Sequence, residues 1–210
     1  IIFFFILCVF SVFINYHYAN LGVFPIDTFA YFDTGFNILK NKHPFKDTWV
    51  TVGPLVDYLQ AGFFRLFGVN WFSYVLHASI FNILITITIF FGLQMLGLKS
   101  YYSFFYSISV AILCYPLAGT PFADQHAIIL SIISLMLFYA SVKTKKLSYW
   151  FFLPIVMGLS FFCKQVPSSY INLVILISVF IYFLLNYNLQ KLLYFLFGSF
   201  SFLLLIALVF

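Results

Sequence analysis

The chain has 210 residues, 64% of them apolar and only 7% Asp, Glu, Lys or Arg, with a mean hydropathy of +1.09. A soluble domain carries about a quarter of its residues as charge, so ten bases and five acids cannot cover a soluble fold of this size. The wealth of aromatic and β-branched residues excludes disorder, and long apolar runs without alternation argue against a membrane β-barrel.

What remains is an all-α, polytopic transmembrane helix bundle. A span needs roughly 20 apolar residues. In chain order, residues 1–15 form a first span and 16–69 a long loop. Further spans follow at 70–97, 101–118, 125–142, 148–163, 168–187 and 191–210, about seven in all. The links are short, so sequential spans pack antiparallel. Residues 1–210 read as a single transmembrane domain. Both termini are apolar to the last residue, the expectation for a chain cut inside a helix at each end.

The charges set the topology. Lys99, the group Lys143, Lys145 and Lys146, and Lys191 fall in alternate links and share one face without an acid. All five acids (Asp27, Asp33, Asp47, Asp57 and Asp124) fall on the other face. Lysine-rich links mark the cytoplasmic side, so the Asp-bearing face is external. The net charge of +5 is thus explained by topology and not by nucleic acid. Cys8, Cys114 and Cys163 lie in apolar runs at spacings that suit neither a disulfide framework nor zinc.

The loop at 16–69 holds four of the five acids and reads as two short interfacial helices, near 27–40 and 54–67. Asp27 is placed to cap the first. Phe29, Phe32, Phe36 and Leu39 give that helix an apolar face opposite Tyr31, Asp33, Thr34, Asn37 and Lys40. Gly53-Pro54 opens the second, and Gly68 closes it. Its stripe is Leu55, Leu59, Phe63 and Leu66. Asp47 and Asp57 read as solvated charges near Lys46 and Arg65, and Asp33 as a solvated or Lys-paired residue.

Three motifs run through this region: Asp27-x-x-x-Tyr31, Gly53-Pro54-Leu55-x-x-Tyr58-Leu59, and Phe64-x-x-Phe67-Gly68-Val69-Asn70. Pro121-Phe122-Ala123-Asp124-Gln125-His126 and Phe162-Cys163-Lys164-Gln165 follow in order. Together they resemble the start of a GT-C glycosyltransferase, of the branch related to protein O-mannosyltransferases and the aminoarabinose transferase of lipid A. The resemblance covers about 25–190. It implies an integral-membrane enzyme that moves a sugar from a polyprenyl-phosphate carrier to an acceptor on the external face of a bacterial plasma membrane. The chain departs from the family in two places. Asp27-Thr28 replaces an acidic pair, and Val52-Gly53-Pro54 lacks a Lys or His before the proline.

Inverting transfer needs a base for the acceptor proton and cations or donors for the leaving phosphate. Asp27 and Asp124 are the catalytic candidates, each with helix capping as the competing role. Lys164 is a candidate for the donor phosphate, with snorkelling to the headgroups as its competing role. Gln165, Tyr31 and His126 complete the expected substrate-binding set. The polyprenyl-phosphate sugar is the donor substrate, with no separate cofactor, and no His–acid pairing supports a metal. A transporter or flippase, or a non-catalytic membrane subunit, is the competing class. Transporters place charge and broken helices at the midplane, whereas here charge collects at span ends.

Overall fold

The structure, a computed structural model, describes residues 2–23, 27–115 and 119–209. Among them are nine α-helices and no β-strand, so the all-helical class stands. In order they are α1 (Ile2–Ala19), α2 (Ala30–Leu39), α3 (Leu55–Phe67), α4 (Trp71–Met95), α5 (Ser100–Leu113), α6 (Ala123–Lys143), α7 (Leu147–Cys163), α8 (Gln165–Leu185) and α9 (Leu189–Val209). Five of these, α1, α4, α6, α8 and α9, are long and apolar enough to cross a membrane. That makes the chain a membrane-embedded protein. The expected spans at 101–118 and 148–163 appear as the shorter helices α5 and α7. The break after α5 has a local cause, because Pro116 disfavours helical backbone in the residue before it.

The chain divides into two compact units, residues 1–126 and 127–210, with the division inside α6. In the first, α1, α4 and α5 pack on one another, and α2 packs on α3, which packs on α4. Its helices are joined by polar side chains. Asn15 donates to Ser79 Oγ and to the Gly119 carbonyl, both at 3.0 Å. Asn82 donates to the Ala111 carbonyl at 2.9 Å and the Ser11 carbonyl at 3.2 Å. Lipid offers no hydrophobic drive between helices, so small residues and such bonds hold the bundle. Gly119 sits at φ +61°, and a Cβ there would lie 2.5 Å from the Asn15 carbonyl oxygen.

The second unit combines hydrogen bonds with an apolar cluster, and the Ser168 hydroxyl of α8 donates to the Ser160 carbonyl of α7 at 2.9 Å. Trp150, Leu153, Met157, Ile175 and Val179 form a buried apolar cluster from α7 and α8. α9 approaches α7 at Gly198, where a Cβ would lie 2.0 Å from the Phe151 carbonyl oxygen. Lys191 extends its ammonium to the Tyr182 hydroxyl at 2.7 Å, with the Trp150 ring 5.8 Å away.

The two helices of the long loop exist, with altered faces. α2 starts at Ala30, and its capping residue is Phe29, without a side-chain cap. Asp27 lies in the preceding turn, where its carbonyl accepts from the Ala30 amide at 3.2 Å, so the expected Asp27 side-chain cap is not formed. In α3 the buried residues are Val56, Asp57, Gln60, Ala61 and Phe64. Of the apolar stripe, Leu66 is 77% exposed, whereas Leu55, Leu59 and Phe63 are half-buried and the Phe63 ring lies on His77. Asp57 and Gln60 turn inward because each meets a polar partner there, Thr34 and His77. Gly35 makes the contact close, since a Cβ on it would sit 2.8 Å from Gln60 Cγ.

Candidate functional site

The first unit gathers most of the predicted site residues. Asp27 is exposed, and the next residue, Thr28, is wholly buried. The Thr28 carbonyl accepts a hydrogen bond from the Tyr74 hydroxyl of α4 at 2.5 Å. Tyr74 is itself buried, with the Phe32 ring edge-on at 5.3 Å. An exposed carboxylate is therefore carried on a turn pinned to a packed helix. Tyr31, in the first turn of α2, is partly buried.

Asp124 lies in the first turn of α6 and is partly buried. His126 is fully buried. Its Nε2 lies 3.1 Å from His77 Nε2, and its Nδ1 lies 2.8 Å from the Phe122 carbonyl oxygen and 3.1 Å from the Tyr115 hydroxyl. His77 Nδ1 in turn meets the Gln60 side-chain oxygen, Oε1, at 2.9 Å. Phe63 stacks on His77 at 4.9 Å, and Phe81 lies 3.9 Å from the His126 ring. A buried polar string thus runs from α3 through α4 to the start of α6.

The protons on this string are fixed by its ends. A carbonyl only accepts, so His126 Nδ1 carries a hydrogen for Phe122 and its Nε2 holds the lone pair. His77 Nε2 must then donate across the 3.1 Å gap, which leaves His77 Nδ1 as an acceptor. The neutral string closes when the Gln60 amide presents N–H to His77. With Oε1 turned that way, the buried Gln60 Nε2 has no partner. The other amide orientation matches a string carrying one extra proton. Gln60 orientation and His77 protonation are therefore coupled.

Asp57 departs most from its expectation. It is 1% exposed, not a surface charge, and it bonds with the Thr34 hydroxyl of α2. Its Oδ2 is buried without a partner. Burial pushes its carboxyl up to about 6, partly offset by the Thr34 hydrogen bond. Asp47 takes the His43 backbone amide at 2.9 Å. The expected pairings with Lys46 and Arg65 do not form among the described residues. Asp33 is exposed.

Lys164 and Gln165 belong to the second unit. Lys164 is the single extended residue between α7 and α8, at φ −158° and ψ 130°, and is partly buried. Gln165 is exposed at the first position of α8. Among the described residues no three His, Cys, Asp or Glu side chains gather as a metal set.

The His77–His126 pair lay beyond reach of the linear sequence because 49 residues separate its members. One signal was present: His77 and His126 each fall near the start of a long apolar helix. Comparison of the chain with protein-family models, curated proteins and solved structures finds no match.

Proposed function

We propose that the chain is a membrane glycosyltransferase that moves a sugar from a polyprenyl-phosphate carrier to an acceptor on the external face of a bacterial plasma membrane. In this reading α5 and α7 also cross the bilayer, making seven spans. α2 and α3 lie at the external surface. The observation that carries the reading is the setting of Asp27. It is an exposed acid, ahead of a helix pair that follows the first span, on a turn anchored through the buried Thr28 and Tyr74. A base must hold its position against the substrate, and a turn bonded to a packed helix provides that.

The chemistry is an inverting displacement. Asp27 accepts the proton of the acceptor hydroxyl as its oxygen forms the new bond to the sugar. The carbon–oxygen bond to phosphate breaks, and its electron pair leaves with the carrier phosphate. Positioned general-base catalysis contributes about 10²–10⁴-fold, so loss of Asp27 removes activity on that scale. The test is transfer from labelled polyprenyl-phosphate sugars in membranes holding the full-length protein. Transfer at the parent rate by Asp27→Ala overturns Asp27 as the base.

One observation favours a transporter as the second reading. Buried ionisable groups inside membrane bundles mark ion and proton paths, and His77 and His126 are fully buried and joined. No transfer from any carrier-linked sugar, together with solute flux that His77→Ala abolishes, would select that class.

A further inference from the structure

A cavity of about 580 Å³ opens between the end of α2 and the outer side of α3. Its polar wall is Asn41, His43, Tyr58 and Arg65, and its apolar wall includes Ile38 and Ala61. Tyr58 and His43 are joined, hydroxyl to Nδ1, at 3.1 Å. Burial and the neighbouring Asp57 charge raise the Tyr58 pKa, so it remains a phenol and a donor. When it donates to Nδ1, His43 keeps its Nε2–H as a second donor.

Arg65 supplies the charge. It lies in the last turn of α3, with no carboxylate partner among the described residues. Asp57 is buried against Thr34, and Asp47 is bound to the His43 amide. Residues 40–65 contain four bases, Lys40, Lys42, Lys46 and Arg65, against those two acids. A planar guanidinium beside amide, imidazole and phenol donors matches a phosphate group.

The neighbouring turn indicates the source of that phosphate. Phe45 is 62% exposed and Trp49 87% exposed, between and beside Lys42 and Lys46. The turn is fixed by the Phe45 amide on the Thr48 carbonyl at 2.9 Å and the Asp47 amide on the His43 carbonyl at 2.9 Å. Exposed aromatics interleaved with lysines are the signature of a segment resting among lipid headgroups.

We propose that this cavity seats the headgroup of an anionic phospholipid from the surrounding bilayer, with Arg65 on the phosphate and Ile38 and Ala61 against the first apolar carbons. The site is separate from Asp27 and does not depend on the transferase reading. Gly62 lines the cavity, and a Cβ built on it meets nothing within 4 Å. The first carbon of a side chain at 62 therefore meets open space beside the cavity, and replacing a mid-helix glycine favours the helix.

The test is native mass spectrometry of the purified full-length protein in detergent, with equimolar phosphatidylglycerol and phosphatidylcholine. Phosphatidylglycerol is retained about tenfold over phosphatidylcholine, whose choline cation is repelled by the surplus bases of residues 40–65 although its phosphate is the same. Gly62→Leu and Arg65→Gln each reduce that retention about tenfold while thermal unfolding is not lowered. Equal retention of the two lipids, or retention unchanged in both variants, overturns the proposal. So does displacement of phosphatidylglycerol by millimolar inorganic phosphate, which marks a free-anion site. Preference for polyprenyl phosphate over phosphatidylglycerol also overturns it, by assigning the cavity to the carrier.

Discussion

The two units differ in which polar groups they bury, since the second, besides its apolar cluster, joins α8 to α7 through Ser168 on the Ser160 carbonyl and Asn172 on the Met157 carbonyl, both at 2.9 Å. The first buries His77, His126, Gln60, Asn15, Asn82 and Asp57 and joins its helices through their hydrogen bonds. The second buries Trp150, Leu153 and Met157 and brings α7 and α9 together at Gly198. An apolar interior tolerates adjustment but has little to offer a polar reactant. A polar interior is costly wherever a partner is missing. The unpartnered Oδ2 of Asp57 is such a cost, and it stands in the unit that also presents Asp27. The difference teaches where the ionisable groups are buried: Asp57, His77 and His126 in the first unit, whereas residues 127–210 contain no Asp, Glu or His.

Several substitutions break or sharpen this contrast. The largest effect is expected at Gly198→Ala, because the added carbon meets the backbone oxygen of Phe151 and not a flexible side chain. Thermal unfolding in detergent should show a loss of about 3 kcal/mol, the upper part of the overpacking range. Asp27→Ala, by contrast, should leave that measurement unchanged, because its side chain is exposed.

Asp57 tests the polar unit through pH. Its folded pKa, at about 6, lies above the ordinary carboxylate range. The folded state therefore holds its proton more tightly than the unfolded chain does. Its contribution is fully present below about pH 4 and is lost as pH rises toward 6, by about 3 kcal/mol. Asp57→Asn should abolish this slope and unfold at higher temperature than the parent at neutral pH. A variant with the parent slope would show that another group is responsible.

Gln60→Leu removes the amide that meets His77 Nδ1 and should cost about 1–3 kcal/mol. Gln60→Glu separates the two proton arrangements. A carboxylate only accepts, so it favours the extra proton on the string and should recover part of the loss. The smallest effect is expected at Leu66→Ala, within about 0.5 kcal/mol, because that side chain faces outward. A loss of core size there would place the Leu66 side chain in the core.

Much of the helical layout was legible. Runs of apolar residues located α1, α4, α6, α8 and α9, because hydrophobicity over span length is a property of consecutive residues. Gly53-Pro54 and Gly68 bracketed α3, because each acts on its own backbone. The buried face of α3 was only partly legible: Asp57, expected as a solvated charge, is buried because Thr34 of α2 meets it across the helix pair. The polar string was hidden for another reason. His77, His126 and Gln60 come together through helix packing, which leaves no mark in local spacing. The anchoring of Asp27 was equally invisible, since it runs through a backbone carbonyl and Tyr74, 46 residues further along the chain.

The central claim is that Asp27 acts as a base on a fixed turn. The most direct measurement is the rate of sugar transfer from a labelled polyprenyl phosphate in membranes holding parent, Asp27→Asn or Tyr74→Phe protein at matched amounts. Asp27→Asn should fall by about 10²-fold or more, since the amide cannot take the proton. Tyr74→Phe, which frees the turn but keeps the acid, should fall by a smaller factor. Transfer by Asp27→Asn at the parent rate would contradict the account.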